Sequence, residues 1–115
     1  MYSKEKEIEG LEHQLKGIKA ARAYAEDVRK LMGNSLFRKV ILEQFCTVDC
    51  ARYVQESCDP LLEDRQRADA LAMAQAAGCL KRYLEITLQK AETLVGVQSD
   101  IENALDVARG EPEEV

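Results

Sequence analysis

Hydrophobic positions in the first third of the chain follow the pitch of an α-helix. They recur at intervals of three and four, at Ile8, Leu11, Leu15, Ile18, Ala25, Val28, Leu31 and Met32. The polar residues between them are mostly Lys, Glu, Gln and Arg, which are good helix formers. Ser3 is expected to cap the start of this helix. Gly33 and Asn34 are expected to end it, because both tolerate the left-handed conformation of helix C-termini. The pattern therefore predicts a first helix over about residues 3–32.

A second, shorter helix is predicted to begin at Ser35 as its N-cap and to end at Asp59-Pro60, because the residue before a proline is disfavoured in a helix. Its apolar stripe is wider than that of the first helix and consists of Leu36, Phe37, Val40, Ile41 and Phe45. Both phenylalanines of the chain lie here, so the centre of the core is expected on this helix. Thr47 offers a fresh N-cap, which predicts a bend near residues 45–47.

A third helix is predicted from about residue 61 to residue 108. Its apolar positions are Ala68, Leu71, Ala72, Ala76, Cys79, Leu80, Tyr83, Ile86, Ala91, Leu94, Ile101, Leu105 and Ala108. Small residues at 68–77 would let another helix approach closely. Around Gly96 two alternatives are open: one continuous or kinked helix, which we expect, or a new helix started by Ser99 and Glu102 as a capping box.

These elements predict an all-α fold. A long antiparallel, coiled-coil-like helical hairpin carries a third, shorter helix packed on it. The expected core is formed by Phe37, Ile41, Phe45, Leu80, Tyr83 and Leu84. A single domain is expected over 1–109, followed by a loose acidic tail at 110–115, which holds three glutamates and a proline. The two long helices carry more apolar stripe than one short helix can cover, so we also expect a homo-oligomer, namely a dimer through the long helices.

Composition and charge exclude several classes of protein. The 115 residues fit one domain. With 16 basic and 21 acidic side chains the net charge is −5, and a nucleic-acid binder normally has a basic excess, so we do not expect nucleic acid as a partner. The basic cluster of the first helix (Lys16, Lys19, Arg22, Arg29 and Lys30) is interrupted by Glu26 and Asp27 and is expected to be a solvated flank.

The chain has no predicted membrane segment. No run reaches the roughly 18 apolar residues of a membrane helix, and the start is too charged for a secretory signal, so no membrane association is expected.

The four cysteines leave three interpretations: a metal site, a disulfide framework or reduced thiols. They are Cys46, Cys50, Cys58 and Cys79. Zinc sites usually take two ligands from a tight CxxC turn, which is absent. Cys46 and Cys50 lie one helical turn apart, where their Cβ vectors do not converge on a disulfide. Reduced thiols are therefore favoured, with Cys79 in the core and Cys46 or Cys50 partly buried.

The remaining polar residues carry no catalytic pattern. His13, the only histidine, lies beside the apolar stripe of the first helix, where a solvated side chain is expected. Acidic residues are spaced to pair with basic residues one helical turn later, as Glu12 with Lys16. Such pairs support an exposed helix and indicate no catalysis. No phosphate loop, HExxH or GxSxG occurs. We expect no enzyme, no cofactor, and no catalytic, cofactor-binding or metal site.

The middle of the chain carries a pattern shared with known proteins. It reads Asn34-x-x-Phe37-x-x-Val40-Ile41-Leu42-x-x-Phe45, then Ala51-Arg52-x-Val54, Asp59-Pro60 and Leu80-x-x-Tyr83-Leu84. Over residues 34–84 the chain resembles a family of small all-helical proteins of tailed bacteriophages. The resemblance implies a non-enzymatic protein in the cytoplasm of the bacterial host or in the virion, acting by protein–protein contacts in particle assembly or as a minor virion component. An alternative is an early phage protein that binds and inhibits or redirects a host enzyme, such as a nucleic-acid-processing machine, through the acidic residues Glu111, Glu113 and Glu114.

The ends of the long helices are the predicted docking site for a phage or host protein, because the short helix covers them least. The partner-binding residues expected there are Ile8, Leu11, Leu15, Ile18, Ile101 and Leu105. Spaced three and four residues apart, they can form a ridge or groove for another helix. The alternative is that they pack only against each other within the hairpin.

Overall fold

The structure is a computed structural model that describes residues 3–110. Within this range the chain forms three helices and no strand: α1 (Lys4–Gly33), α2 (residues 35–57) and α3 (Asp64–Gly110). The long helix α3 packs on α1 and on α2, which confirms the all-α hairpin with a third helix. None of the described helices has a stretch long and apolar enough to cross a lipid bilayer.

The helix boundaries lie close to the predicted positions, but one cap differs. The Ser3 hydroxyl accepts a hydrogen bond from the Lys6 amide at 3.2 Å, which confirms the predicted N-cap of α1. Between α1 and α2 the cap is Asn34, not Ser35: its backbone is extended, and its side-chain oxygen accepts from the Phe37 amide at 3.0 Å. The predicted left-handed ending is also wrong, since no residue from 3 to 110 has a positive φ. Asn34 caps the next helix directly, so no reversal of φ is required.

The start of α3 is capped by side chains, and α3 then runs without interruption. Gln66 reaches back to accept from the Glu63 amide at 3.0 Å, which is one half of a capping box. Beyond this cap α3 is helical through Gly96 to Gly110. The continuous alternative is thus confirmed, and a new helix at Ser99 is wrong. The acidic tail, from residue 111 onwards, lies outside the described residues.

The middle of α2 is a π-helix. One α-helical turn (Ser35–Phe37) leads into a π-helical stretch of 12 residues (Arg38–Asp49), and α2 ends as an α-helix (Cys50–Ser57). The wider hydrogen-bonding interval also governs side chains, since the Thr47 hydroxyl donates to the Leu42 carbonyl five residues back at 2.9 Å. The prediction of Thr47 as an N-cap is therefore wrong, because its hydroxyl is a donor inside a continuous helix. The predicted local bend is replaced by a change of helical pitch.

Two compact units divide the chain. The hairpin unit comprises residues 1–27 and 88–115, of which the structure describes 3–27 and 88–110. Two contacts show that its helices run antiparallel: the Arg109 guanidinium lies 2.8 Å from the Glu12 carboxylate, and the Arg22 guanidinium donates to Gln98 at 2.6 Å. Its buried residues are Ala25, Ala91, Ile101, Leu105 and Ala108. Glu12 thus bonds across the hairpin instead of to Lys16, because the long Arg109 side chain reaches it from α3.

The α2 unit comprises residues 28–87 and contains the end of α1, all of α2 and the first half of α3. Its buried residues are Val28, Ala70, Ala74, Ala77 and Leu84. No residue of 35–57 is fully buried, so the predicted core centre on α2 is wrong. The alanines of α3 bring the two backbones together but offer little side chain to cover a neighbouring ring. Phe37 and Phe45 are accordingly only half-buried.

The buried face of α3 also differs from the predicted one. Among the six predicted core residues only Leu84 is buried; Phe37, Ile41, Phe45 and Leu80 are half-buried, and Tyr83 is 51% exposed. Ala68, Ala72 and Ala76 are exposed, because the contact uses the alanines at 70, 74 and 77. Cys79 is exposed for the same reason, which makes its predicted place in the core wrong.

Candidate functional site

The α2 unit carries most of the exposed large apolar residues, and one set of them follows α2. Leu36, Val40 and Val48 are 68%, 50% and 58% exposed. They are spaced by multiples of four, with the exposed Gln44 at the missing position. We call Leu36, Val40, Gln44 and Val48 the α2 outer face. Apolar surface of this kind, gathered on one helix, is typical of interaction sites.

A second row of less exposed residues runs beside this face. It consists of Phe37, Ile41, Phe45, Asp49 and Tyr53, all half-buried, and the first four of them each directly follow a member of the α2 outer face. Most of both rows lies in the π-helical stretch. Its hydrogen bonds include that from the Cys50 amide to the Phe45 carbonyl, five residues back. Such helical irregularities often occur at functional sites.

Two thiols attach the inner side of α2 to α3. The Cys46 sulfur lies 3.6 Å from the Ala77 carbonyl oxygen, and the Cys50 sulfur lies 3.7 Å from that of Ala74, so both thiols can donate weak hydrogen bonds. Cys46 and Cys50 are half-buried, as predicted, while Cys58 is exposed. All four cysteines are free thiols in the structure.

The environment of Cys46 makes it a poor nucleophile. Burial raises the pKa of its thiol above the usual value of 9.0, the nearby Lys81 lowers it, and the neighbouring Cys50 raises it further. The net direction is upward, so the thiol is neutral near pH 7, whereas reactive cysteines have a lowered pKa. Within residues 3–110 no three His, Cys, Asp or Glu side chains cluster in a way that could hold a metal ion.

The six predicted partner-binding residues all lie in the hairpin unit. Ile101 is 8% exposed and Leu105 2% exposed, so neither has free surface to offer a partner. Ile8, Leu11, Leu15 and Ile18 are half-buried on α1. Ile101 and Leu105 therefore follow the second of the two predicted arrangements, in which these residues pack within the hairpin. Docking on the four residues of α1 stays a prediction.

The α2 outer face is not evident from sequence periodicity, because Leu36 and Val40 fall in one wide apolar stripe together with their neighbours. The signal that could have separated them is the interval of four. Phe37, Ile41 and Phe45 form one series, and Leu36, Val40 and Val48 form another beside it. Consecutive residues lie only about 100° apart on a helical projection, so the two series merge into one wide stripe.

The comparisons with known proteins add no relative. No protein-family model matches the chain, and no curated protein or solved structure is significantly similar to it.

Proposed function

We propose that this chain is a non-enzymatic protein that acts through protein–protein contacts, in the assembly of a phage particle or as a minor component of the virion. The observation that carries the protein–protein part is the α2 outer face, where Leu36, Val40 and Val48 leave apolar surface in water. The phage setting rests on the resemblance of residues 34–84 alone.

Self-association belongs to this proposal, and the α2 outer face is its site. Val40 and Val48 lie four residues before and four residues after Gln44. A two-fold axis at Gln44 would place Val40 of one copy against Val48 of the other in an antiparallel pair of α2 helices. Symmetric dimers use one patch on both copies, and Val40 and Val48 are placed symmetrically about Gln44, which suits a second copy of this chain.

Sedimentation of purified protein tests the dimer. We expect the unaltered chain to be a dimer at tens of micromolar and the double variant Val40→Glu/Val48→Glu to be a monomer. Association of the variant would bury two carboxylates per copy without partners, which is unfavourable. The helix content of the variant should be unchanged. Val107→Glu is the matched control, since Val107 is 61% exposed but lies in the hairpin unit. A monomeric unaltered chain, or a control variant that dissociates equally, contradicts the proposal.

Mass spectrometry of purified phage particles tests the setting. A component of the particle must be present in it at a constant ratio to the capsid protein. Absence from particles, together with capture of a host enzyme on the immobilised chain early in infection, would favour the alternative of an early host-directed protein.

A further inference from the structure

A second surface of the α2 unit is an open groove where α2 ends and α3 begins. Its volume is about 490 Å³, within the range of ligand-binding sites. Its apolar lining residues are Tyr53, Leu62, Ala70 and Met73. This groove does not include any residue of the α2 outer face.

The charged residues that line the groove are acidic. The carboxylates of Glu56, Asp59 and Asp69 line it, and no lysine or arginine is among the described residues that do. Asp69 is exposed and has no hydrogen-bond or ion-pair partner among residues 3–110. We call the four apolar lining residues and these three carboxylates the acidic groove. Carboxylates next to apolar residues attract a ligand with a positive charge beside an apolar body.

The walls of the acidic groove are held in place by the connection between the helices. The Arg67 guanidinium donates to the Leu62 carbonyl at 2.8 Å and to the Asp59 carbonyl at 3.2 Å, and it pairs with Asp64. The Asp59 carboxylate also accepts from the Leu61 amide at 2.9 Å. A surface that is already ordered loses less conformational entropy on binding.

The chain itself shows that two groups of this groove can hold a cation. The Arg52 guanidinium lies 4.7 Å from the centre of the Tyr53 ring and 3.1 Å from the Glu56 carboxylate. The ring and the carboxylate together provide a cation–π contact and a charge-assisted hydrogen bond. Arg52 therefore uses part of the binding capacity that an incoming cation would find.

We propose that the acidic groove binds a basic amphipathic segment of a partner protein. An apolar side chain of that segment lies on Leu62 and Met73, and a lysine or arginine beside it approaches Asp69 and Glu56. The inference rests on the proposed function in that it takes the partner to be a protein. It adds the chemistry by which that partner is recognised.

Fluorescence anisotropy with the full chain and a labelled amphipathic peptide of leucine and lysine tests the proposal. We expect Asp69→Asn to weaken binding by about fivefold, since one desolvated charge contact is lost. Asp106→Asn is the matched control, because it removes the same charge from an exposed position of α3 in the hairpin unit. It should change binding by less than about twofold, as expected for a solvent-screened charge that does not line the groove.

A gain of affinity provides a readout that unfolding cannot produce. Arg52→Gln releases the Tyr53 ring and the Glu56 carboxylate, so it should tighten binding of the peptide by about threefold, the order expected of one exposed ion pair. Circular dichroism of each variant should match that of the unaltered chain.

The inference is overturned if the lysine peptide does not bind, or if Asp69→Asn and Asp106→Asn weaken its binding equally. It is also overturned if the Arg52→Gln variant binds the peptide more weakly than the unaltered chain does, or if a peptide with glutamate in place of lysine binds as tightly. Binding of arginine amide as tightly as the peptide would also overturn it, because a site for a small cation alone would then suffice.

The failure of this inference is distinguishable from failure of the proposed function. If the peptide does not bind but the chain still forms a dimer that depends on Val40 and Val48, the groove inference alone fails. If the peptide binds as expected but the unaltered chain is monomeric, the dimer fails and the groove remains.

Discussion

Over the described part of the chain, the hairpin unit and the α2 unit bury equal numbers of hydrophobic residues but differ in the apolar side chains that they leave exposed. Each has five buried hydrophobic residues among those described. Among the large apolar residues of 3–110 that are exposed, Tyr24, Val95, Val97 and Val107 lie in the hairpin unit, and more than twice as many lie in the α2 unit. Two long amphipathic helices cover each other's stripes. A third helix placed on a row of alanines leaves its own larger side chains partly in water.

The size of the buried side chains sharpens this contrast. Ile101 and Leu105 anchor the hairpin unit, while the α2 unit buries three alanines with Val28 and Leu84. Stability from burial follows the apolar area removed from water, and an alanine removes little. We therefore expect the hairpin unit to contribute stability and the α2 unit to contribute surface for contact with other proteins.

The largest expected effect comes from truncating a buried leucine. Leu105→Ala should lower the free energy of unfolding by about 3 kcal/mol, because the lost transfer energy and the cavity both count at a site that is fully enclosed. Phe45→Ala on the half-buried side of α2 should cost less than Leu105→Ala, although it removes more atoms. Urea unfolding followed by circular dichroism measures both, and a larger loss for Phe45→Ala would invert the comparison.

The close approach of α2 to α3 can be broken at one alanine. Ala77 is fully buried, and its carbonyl accepts from the Cys46 thiol. Ala77→Leu should cost about 1–3 kcal/mol, because the added atoms have no space between the two helices. Ala76→Leu is the control: its position is exposed and leucine is a good helix former, so thermal stability should hardly change. Equal melting points for the two variants would mean that α2 does not pack on this face.

The buried leucine of the hairpin unit and the alanine row of the α2 unit also show what could be predicted from sequence. The helices followed from intervals of three and four between apolar positions, and their approximate ends followed from Ser3, Gly33-Asn34 and Asp59-Pro60. The all-α antiparallel hairpin followed from these elements. The face of α3 that meets α2 did not follow, because the run 68–77 has alanines at 68, 72 and 76 as well as at 70, 74 and 77. Hydrophobicity alone does not distinguish two faces made of the same residue.

The prediction of the site was limited in the same way. On a helical projection the consecutive residues Val40 and Ile41 lie about 100° apart and fall in one wide stripe. In the structure Val40 is 50% exposed and Ile41 is half-buried on the other row. The acidic groove was equally hidden, since Tyr53 and Met73 meet only through the fold.

A substitution with a smaller expected effect tests how much a side-chain hydrogen bond stabilises the π-helical stretch. Thr47→Val removes the hydroxyl that donates to the Leu42 carbonyl and should cost about 0.5–1 kcal/mol, the net value of one hydrogen bond. Amide hydrogen exchange in α2 should become faster.

Thr93→Val is the matched control for that variant. Its hydroxyl donates to the Gln89 carbonyl four residues back, at 3.3 Å, in the regular part of α3. Such bonds within an α-helix slightly destabilise it, so this substitution should be neutral. If Thr93→Val costs as much as Thr47→Val, the hydroxyl of Thr47 has no special part in the π-helical stretch.

The smallest expected effect is a dependence of stability on alkaline pH in the α2 unit. Burial raises the pKa of the Cys46 thiol above 9.0, so the folded state keeps its proton at a pH where the unfolded chain loses it. Between those two values the unfolded state binds fewer protons, and the free energy of unfolding falls as pH rises. The stability from the neutral thiol is therefore complete below pH 9 and is lost as pH rises through the folded pKa.

The Cys46→Ala variant should lack this loss, so its free energy of unfolding should approach that of the unaltered chain above pH 9. For the control Cys79→Ala, at an exposed position, the free energy of unfolding should stay parallel to that of the unaltered chain. Urea midpoints measured from pH 7 to pH 11 test this, and a constant gap between Cys46→Ala and the unaltered chain would contradict the burial of that thiol against α3.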